Sequence, residues 1–363
     1  MTSSYNKRLL LLLLAIMVIM VNGDDVSSIN MISWDDLMVD EESLSYNNNN
    51  GGQVFVVDQA GNGDSTTVQG AVDMVQQNNP QRVKIYIYPG IYRERVHVPK
   101  NKPYISFIGK PMMMMNVTDS GSGILLPVIT NSTKASDKGS WEGQELGMSN
   151  TATLWVQSNF FCATALTVEN LVEKDGDRRQ AVALRVDSDK AVFYQVKVVG
   201  EQDTLLDNKG THYFYQSYIQ GSVDFICGQA KSLFHECVLY SIAEDSGAIA
   251  AHHRNSAEED TGFSFVNCRI KGNGRILLGR AWGEYSTTTY SFCEMDDIIN
   301  PIGWSDWNVP SRQQNAVFGE YQCYGKGSNR TGRVEWSKEL SSEEAMPFLD
   351  TNYINGDQWL RLQ

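Results

Sequence analysis

After its first fifty residues the chain reads as short runs rich in β-branched and aromatic residues, separated by Gly, Asn and Asp. Val83-Lys-Ile-Tyr-Ile-Tyr, Ile105-Ser-Phe-Ile, Ala181-Val-Ala-Leu-Arg-Val and Ser264-Phe-Val are examples, and each predicts a strand. One helix stands out. Ser65-Thr-Thr-Val-Gln-Gly-Ala-Val-Asp-Met-Val-Gln offers a Ser or Thr cap, then Val68, Ala71, Val72 and Val75 on a single face. Ser341-Ser-Glu-Glu-Ala-Met starts a short C-terminal helix. No helical pattern alternates with the strands, which excludes a βαβ sheet.

The strands carry a repeat: an aromatic, two variable residues, a pivot, one variable residue, an aliphatic. It begins at Phe161, Phe193, Phe214, Phe234, Phe265 and Tyr290, with pivots at Thr164, Val196, Ser217, Cys237, Cys268 and Cys293. Counted along the sequence, the pivots are 32, 21, 20, 31 and 25 residues apart. Such a period indicates stacked coils. The expectation is an all-β chain, a single-stranded parallel β-helix with loops protruding from some coils. The Ser65 helix would plug its N-terminal end, because a stack needs a cap. Residues 111 to 150, with Met112 to Met115, read as one protruding loop. A β-sandwich would not give a motif that recurs in register.

Phase then singles out two carboxylates. Asp203 is seven residues past the pivot Val196, and Asp224 is seven past the pivot Ser217. Equivalent positions on neighbouring coils lie about 4.8 Å apart. Two carboxylates that close do not both ionise cheaply, so an acid and an anion stand side by side, and either could be the acid. Gln202, Gln180, Arg280 and Trp282 belong to the same constellation. Amide side chains suit an oxyanion hole, an Arg can hold one carboxylate ionised, and an indole offers a flat face to a sugar. Together these groups describe ester hydrolysis with a carboxylate nucleophile.

Composition narrows the setting. Lys7 and Arg8 precede the apolar run Leu9 to Val21, and Asn22-Gly23-Asp24 follows, the pattern of a secretory signal peptide over residues 1–23. Its removal takes the net charge from −13 to −15, since one Lys and one Arg leave with no acid. Such acidity argues against a nucleic acid partner. No second apolar run is long enough to span a membrane. Residues 24–52, acidic and ending in Asn47-Asn-Asn-Asn-Gly-Gly, read as a linker before a folded domain over 53–363. Asn116, Asn131 and Asn329 head glycosylation sequons. The stacked pivots suggest a Cys237–Cys268 disulfide, with a ladder of reduced thiols as the alternative. No cysteine pair has zinc spacing, and no metal site is expected. Asp119-Ser-Gly, Asp245-Ser-Gly and Asp260-Thr-Gly mimic an aspartic protease signature but read as turns. His252-His253 reads as structural, since adjacent strand residues face opposite ways.

At these residues the chain resembles the plant pectinesterases (pectin methylesterases). Five blocks carry the likeness in order: Gly90-Ile-Tyr-Arg-Glu94, Gln180-Ala-Val-Ala-Leu184, Gln202-Asp-Thr-Leu205, Asp224-Phe-Ile-Cys-Gly228 and Leu278-Gly-Arg-Ala-Trp282. Gly303-Trp-Ser-Asp-Trp307 and Gly356-Asp-Gln-Trp359 extend it. The resemblance implies a right-handed parallel β-helix that removes methyl esters from homogalacturonan without cofactor. It implies Asp224 as nucleophile, Asp203 as acid and then base, Gln180 and Gln202 at the oxyanion, Arg280 keeping Asp224 ionised at a low pKa, and Trp282 on the galacturonate chain, to which Gln180 and Arg280 also contribute. The chain is similar to the short type, without the inhibitor-like N-terminal region, and to the QUARTET-like branch. A secreted monomer of the plant cell wall follows, with pectin as its partner and a proteinaceous pectinesterase inhibitor as a second. Cys227 departs from the pattern, standing where the family has a groove-lining Phe, and Ala281 stands where many members have Pro. The rival readings are an inactive pectin-binding homologue and a β-helix pectate lyase, for which Glu258-Glu-Asp260 would have to hold calcium.

Overall fold

The computed structural model describes residues 30–40, 53–113, 124–139, 144–172 and 180–362. Residues 1–23, expected to be a signal peptide, lie outside them, as do Met114, Met115 and Asn116. The chain winds into coils whose strands form three parallel sheets. The first contains Val96–Val98, Leu154–Val156, Leu184–Val186, Leu205–Asp207 and Val223–Gly228. The second contains Val128–Asn131, Thr167–Asn170, Lys197–Val199 and Tyr218–Gly221. The third has eleven strands, running from Gln53–Val57 to Lys338–Glu339. Two long strands, Val238–His252 and Arg269–Ala281, serve both the first and second sheets, with a register shift between Ile242 and Ser246 where they turn the corner. Asp245-Ser-Gly lies in that corner, inside a strand and not in a turn between elements.

The repeat is the inner surface of the coils. Phe193, Phe214, Phe234, Phe265 and Tyr290 pair in register. Their rings stack at 4.6, 4.7, 4.6 and 4.5 Å, the strand spacing expressed in aromatic side chains. Phe161 does not belong to this column. Ala163 pairs with Phe193, so the first copy of the motif is two residues out of phase and its pivot is Leu166, not Thr164. The backbone confirms the phase: Ala165, Gln195, Gln216, Glu236, Asn267, Phe292 and Gln322 all have φ between 47° and 55°, each immediately before a pivot. These seven coils therefore each turn on one left-handed residue at the same place.

The pivot thiols are reduced. Cys237, Cys268, Cys293 and Cys323 are free, and each sulfur faces the backbone carbonyl of the coil before it at 3.3–3.4 Å. Ser217 Oγ donates to Phe193 O in the same way, at 3.1 Å. The suggested Cys237–Cys268 disulfide is thus not formed. Stacking brings the sulfurs near one another, but each side chain turns toward a backbone carbonyl of the preceding coil.

Both ends of the stack are closed by polar groups. The helix Val68–Met74 buries Val68, Ala71 and Val72 against the first strands, and Thr67 Oγ1 accepts from Gly70 N at 3.0 Å. Glu94 accepts from the free N–H groups of Val68 and Gln69 at 2.8 and 2.9 Å, and Lys102 Nζ donates to the carbonyls of Val72 and Asp73 at 2.9 and 3.1 Å. An anion at the N-terminus and a cation at the C-terminus suit the helix dipole. The block Gly90–Glu94 is therefore part of the plug.

Residues 30–40 correct the linker expectation. Ile32–Ser33 pairs with Leu360–Arg361, and Ile32 and Leu37 are buried on the outer face of the third sheet. Trp34 packs edge-on against Tyr194, and Arg82 pairs with Asp36 at 2.9 Å. The acidic charge masked three apolar residues that have a surface to cover.

At the far end Glu320 takes the next place in the aromatic column, paired in register with Tyr290. Its carboxylate is buried and held by Arg333 Nε and Nη2 at 2.9 and 3.1 Å and by Arg330 Nη1 at 2.6 Å. A buried carboxylate is tolerable only with such partners. Glu320→Ala would strand two cations, and a loss of about 3–5 kcal/mol is expected, read as a lower urea midpoint at unchanged m-value.

Candidate active site

Asp203 and Asp224 stand on adjacent coils of the first sheet. Gln202 bridges to Val223, and Leu205 and Leu206 pair with Ile226 and Cys227, which leaves the two aspartates opposite each other. Both are left-handed, with φ of 58° and 47°, and each is 4% exposed. Left-handed backbone is costly for a residue with a Cβ, and Asp tolerates it better than most. Gln180, one coil earlier, bridges to Gln202 and hydrogen-bonds the Asp203 carboxyl. The Gln202 side chain is half-buried beside them.

Arg280 arrives from two coils further on. Its Nε donates to Asp224 Oδ1 at 2.7 Å and its Nη2 to Asp224 Oδ2, a bidentate pair. Trp307 covers the guanidinium, with Cζ 3.9 Å from the ring centroid. Among the described residues nothing comparable holds Asp203, so the two carboxyls differ. Burial, and next the charge of Asp224, push Asp203 up to about 8. Burial also raises Asp224, while Arg280 draws it back. The low pKa expected for Asp224 is thus corrected: its position in the protein is too dry for that, and what Arg280 secures is that Asp224 ionises before Asp203. The arrangement supplies a desolvated carboxylate beside a protonated carboxyl near neutral pH.

The floor around the pair is one outward column. His97, Trp155, Arg185, Leu206, Cys227, Ala251, Arg280 and Ser305 are aligned strand by strand. Cys227 packs with Val182, Leu206 and Ala251, and burial holds its thiol well above the usual range, so it offers no nucleophile. Trp282 lies at the edge of this apolar strip, stacked on His253. Of the two histidines, His252 points inward and is buried, and His253 faces the groove, so only His252 has the structural place expected for both. Trp307 and His253 were not singled out from sequence as site residues. Trp307 stands in the Gly303–Trp307 block, but nothing local ties it to Arg280.

A second cluster resembles catalytic chemistry and is not. Asp207 receives His212 Nδ1 at 2.5 Å and Ser232 Oγ, and His212 Nε2 meets Ser188 O at 2.8 Å. All three side chains are buried, and the serine bonds the aspartate rather than the histidine. Burial would lower the His212 pKa, but Asp207 outweighs it and the net shift is upward. The group is a buried ion pair of the coil corner.

Comparison with known proteins bears on the family and the fold. The pectinesterase family profile matches residues 54–357. Pectinesterase QRT1 of Arabidopsis thaliana is 56% identical over 355 residues, covering 92% of this chain and 90% of the relative. Among solved structures, the pectin methylesterase from carrot superposes with a TM-score of 0.75 at 31% identity, over 85% of this chain and 95% of that one. The Aspergillus niger pectin methylesterase gives 0.70 at 26% identity, over 86% and 96%. With a family profile spanning the whole coiled region and a relative this similar over nearly its full length, the chain belongs to the pectinesterase family.

Proposed function

We propose that the protein hydrolyses the C6 methyl esters of homogalacturonan to pectate and methanol, with the roles divided by the asymmetry between its two aspartates. The single observation that carries this is the Arg280 pair on Asp224, facing an Asp203 on the preceding coil that has no cation of its own among the described residues. Asp224 Oδ attacks the ester carbonyl carbon, and the side-chain amides of Gln180 and Gln202 donate to the oxyanion that forms. As the intermediate collapses, the C–O bond to methoxide breaks and Asp203 gives it a proton. Methanol leaves, and an acyl anhydride with Asp224 remains. Asp203, now a carboxylate, takes a proton from water, which attacks the acyl carbon. Asp224 is released as a carboxylate, Asp203 is reprotonated, and the acid formed on the sugar gives its proton to solvent and remains as a carboxylate. Trp282 supplies a flat apolar surface for the polymer, with Gln180 and Arg280 also at the binding surface. No step calls for a cofactor.

The same reading places the protein outside the cell. Residues 1–23 would be removed as a signal peptide, residues 53–363 would form the catalytic unit, and a monomer would act on pectin in the plant cell wall, where a proteinaceous pectinesterase inhibitor would be a second partner. The apolar run Leu9 to Val21 supports this. No helix among the described residues is long and apolar enough to cross a membrane.

The deciding assay is methanol release from highly methylated pectin, run beside absorbance for unsaturated products. Methanol without unsaturated product is expected, and pectin binding with no methanol would overturn the reading. Asp224→Ala should lower kcat by about 10³-fold or more with the fold intact, and Gln202→Ala by about 10²–10³-fold. Activity should fall on the alkaline side near the Asp203 value of about 8 and on the acid side above the ordinary carboxylate range. Stability has its own signature. The folded state holds a proton on Asp203 that the unfolded chain releases near pH 4, so Asp203 makes stability fall as pH rises from about 4 to 8. Thermal melts across that range should be flatter for Asp203→Asn than for the wild type.

A further inference from the structure

Trp282 does not stand alone at the groove. His253 lies one residue beyond the paired His252 and Ala281, so the two rings occupy the same outward position on neighbouring coils. They stack with centroids 4.5 Å apart and planes 30° from parallel. The imidazole is itself held. Its backbone N–H donates to Gly228 O at 2.7 Å, tying it to the strand that carries Asp224, and Nε2 lies 3.2 Å from Asn255 Nδ2. An amide nitrogen only donates, so that contact makes Nε2 an acceptor and the ring neutral. Asn255 is anchored in turn by its N–H to Glu259 Oε2 at 3.2 Å. On the other side Arg312 Nη1 donates to Ala281 O at 2.7 Å, fixing the backbone that carries Trp282. Burial, with Arg312 adding to it and Glu259 opposing, lowers the His253 pKa, which agrees with a neutral ring.

We propose that His253 is a positioning residue for substrate binding: its imidazole braces one face of Trp282 and so fixes the face the indole presents to a galacturonate ring. The proposal rests on the reading of Trp282 as a sugar-binding ring. At the opposite end of the same column His97 likewise stacks on Trp155 at 4.5 Å from the adjacent coil, with its Nε2 bonded to Gln157 Oε1 at 2.8 Å, but there the Arg185 guanidinium also lies over the indole at 4.5 Å. An unbraced indole would sample several rotamers, and ordering it would cost binding free energy at each encounter. The neutral ring also adds no charge beside a methyl ester. The brace thus acts on KM and leaves the carboxylate chemistry alone.

The experiment compares wild type, His253→Ala and His253→Phe on methyl-esterified pectin. A ring pair of this kind corresponds to a change of about 2- to 10-fold. His253→Ala should raise KM by that factor with kcat within about twofold, and His253→Phe should return KM close to wild type because it restores a stacking ring. An unchanged KM in the Ala variant, a matching fall in kcat, or a Phe variant no better than Ala would each overturn the proposal. To keep it separate from the esterase reading, the same three residues at position 253 are placed in an Asp224→Ala background and titrated with methyl-esterified oligogalacturonide by tryptophan fluorescence. Absence of methanol from the wild type would defeat the proposed reaction, whereas the order of affinities wild type ≈ Phe > Ala in the titration would still uphold the brace, and equal affinities would defeat it.

Discussion

The strand-to-strand register of the parallel coils is the constraint on which everything else depends. Once one coil is hydrogen-bonded to the next, any position that recurs at the same phase is placed about 4.8 Å from its equivalent. The same rule produces the Phe193 to Tyr290 stack inside, the row of left-handed residues at the turns, the reduced thiol ladder and the aspartate pair. Chemistry here is a by-product of an arithmetic repeat. A one-residue slip between the coils of Asp203 and Asp224 would turn one carboxyl into the interior and leave the other without its neighbour.

Putting two carboxyls at that spacing in a dry place is unfavourable for folding. The aspartates sit in left-handed backbone, nearly excluded from water, and each raises the cost of ionising the other. Glu320 shows how the same fold handles another buried carboxylate: two arginines surround it. Among the described residues Asp224 has one arginine and Asp203 has none. The difference in partners, not in depth of burial, is what separates Glu320 from the pair proposed to be reactive.

Much of the site was legible because it lies in short, residue-dense blocks. Asp203, Asp224, Gln180 and Gln202 occupy consecutive coils, and counting along the chain is enough to bring them together. Trp307 and His253 were harder, since their meaning comes from partners on other strands: Arg280 for Trp307, and Trp282 for His253. Glu94 had no role legible in the sequence for a related reason. It belongs to a block shared with an enzyme family, yet its carboxylate is committed to the N-terminus of the capping helix.

The sequence by itself determined the coil period, the aromatic lining, the capping helix and the opposition of Asp203 to Asp224, because each is set by spacing along one chain. Tertiary structure alone decided three things. It shifted the first copy of the repeat from Thr164 to Leu166, since Phe161 mimics the motif while hydrogen bonding follows Ala163. It kept the pivot cysteines as thiols, since proximity does not orient sulfur. And it gave Asp224 to Arg280 while raising both aspartates, because desolvation depends on what surrounds a group from every side, which no local stretch of chain encodes.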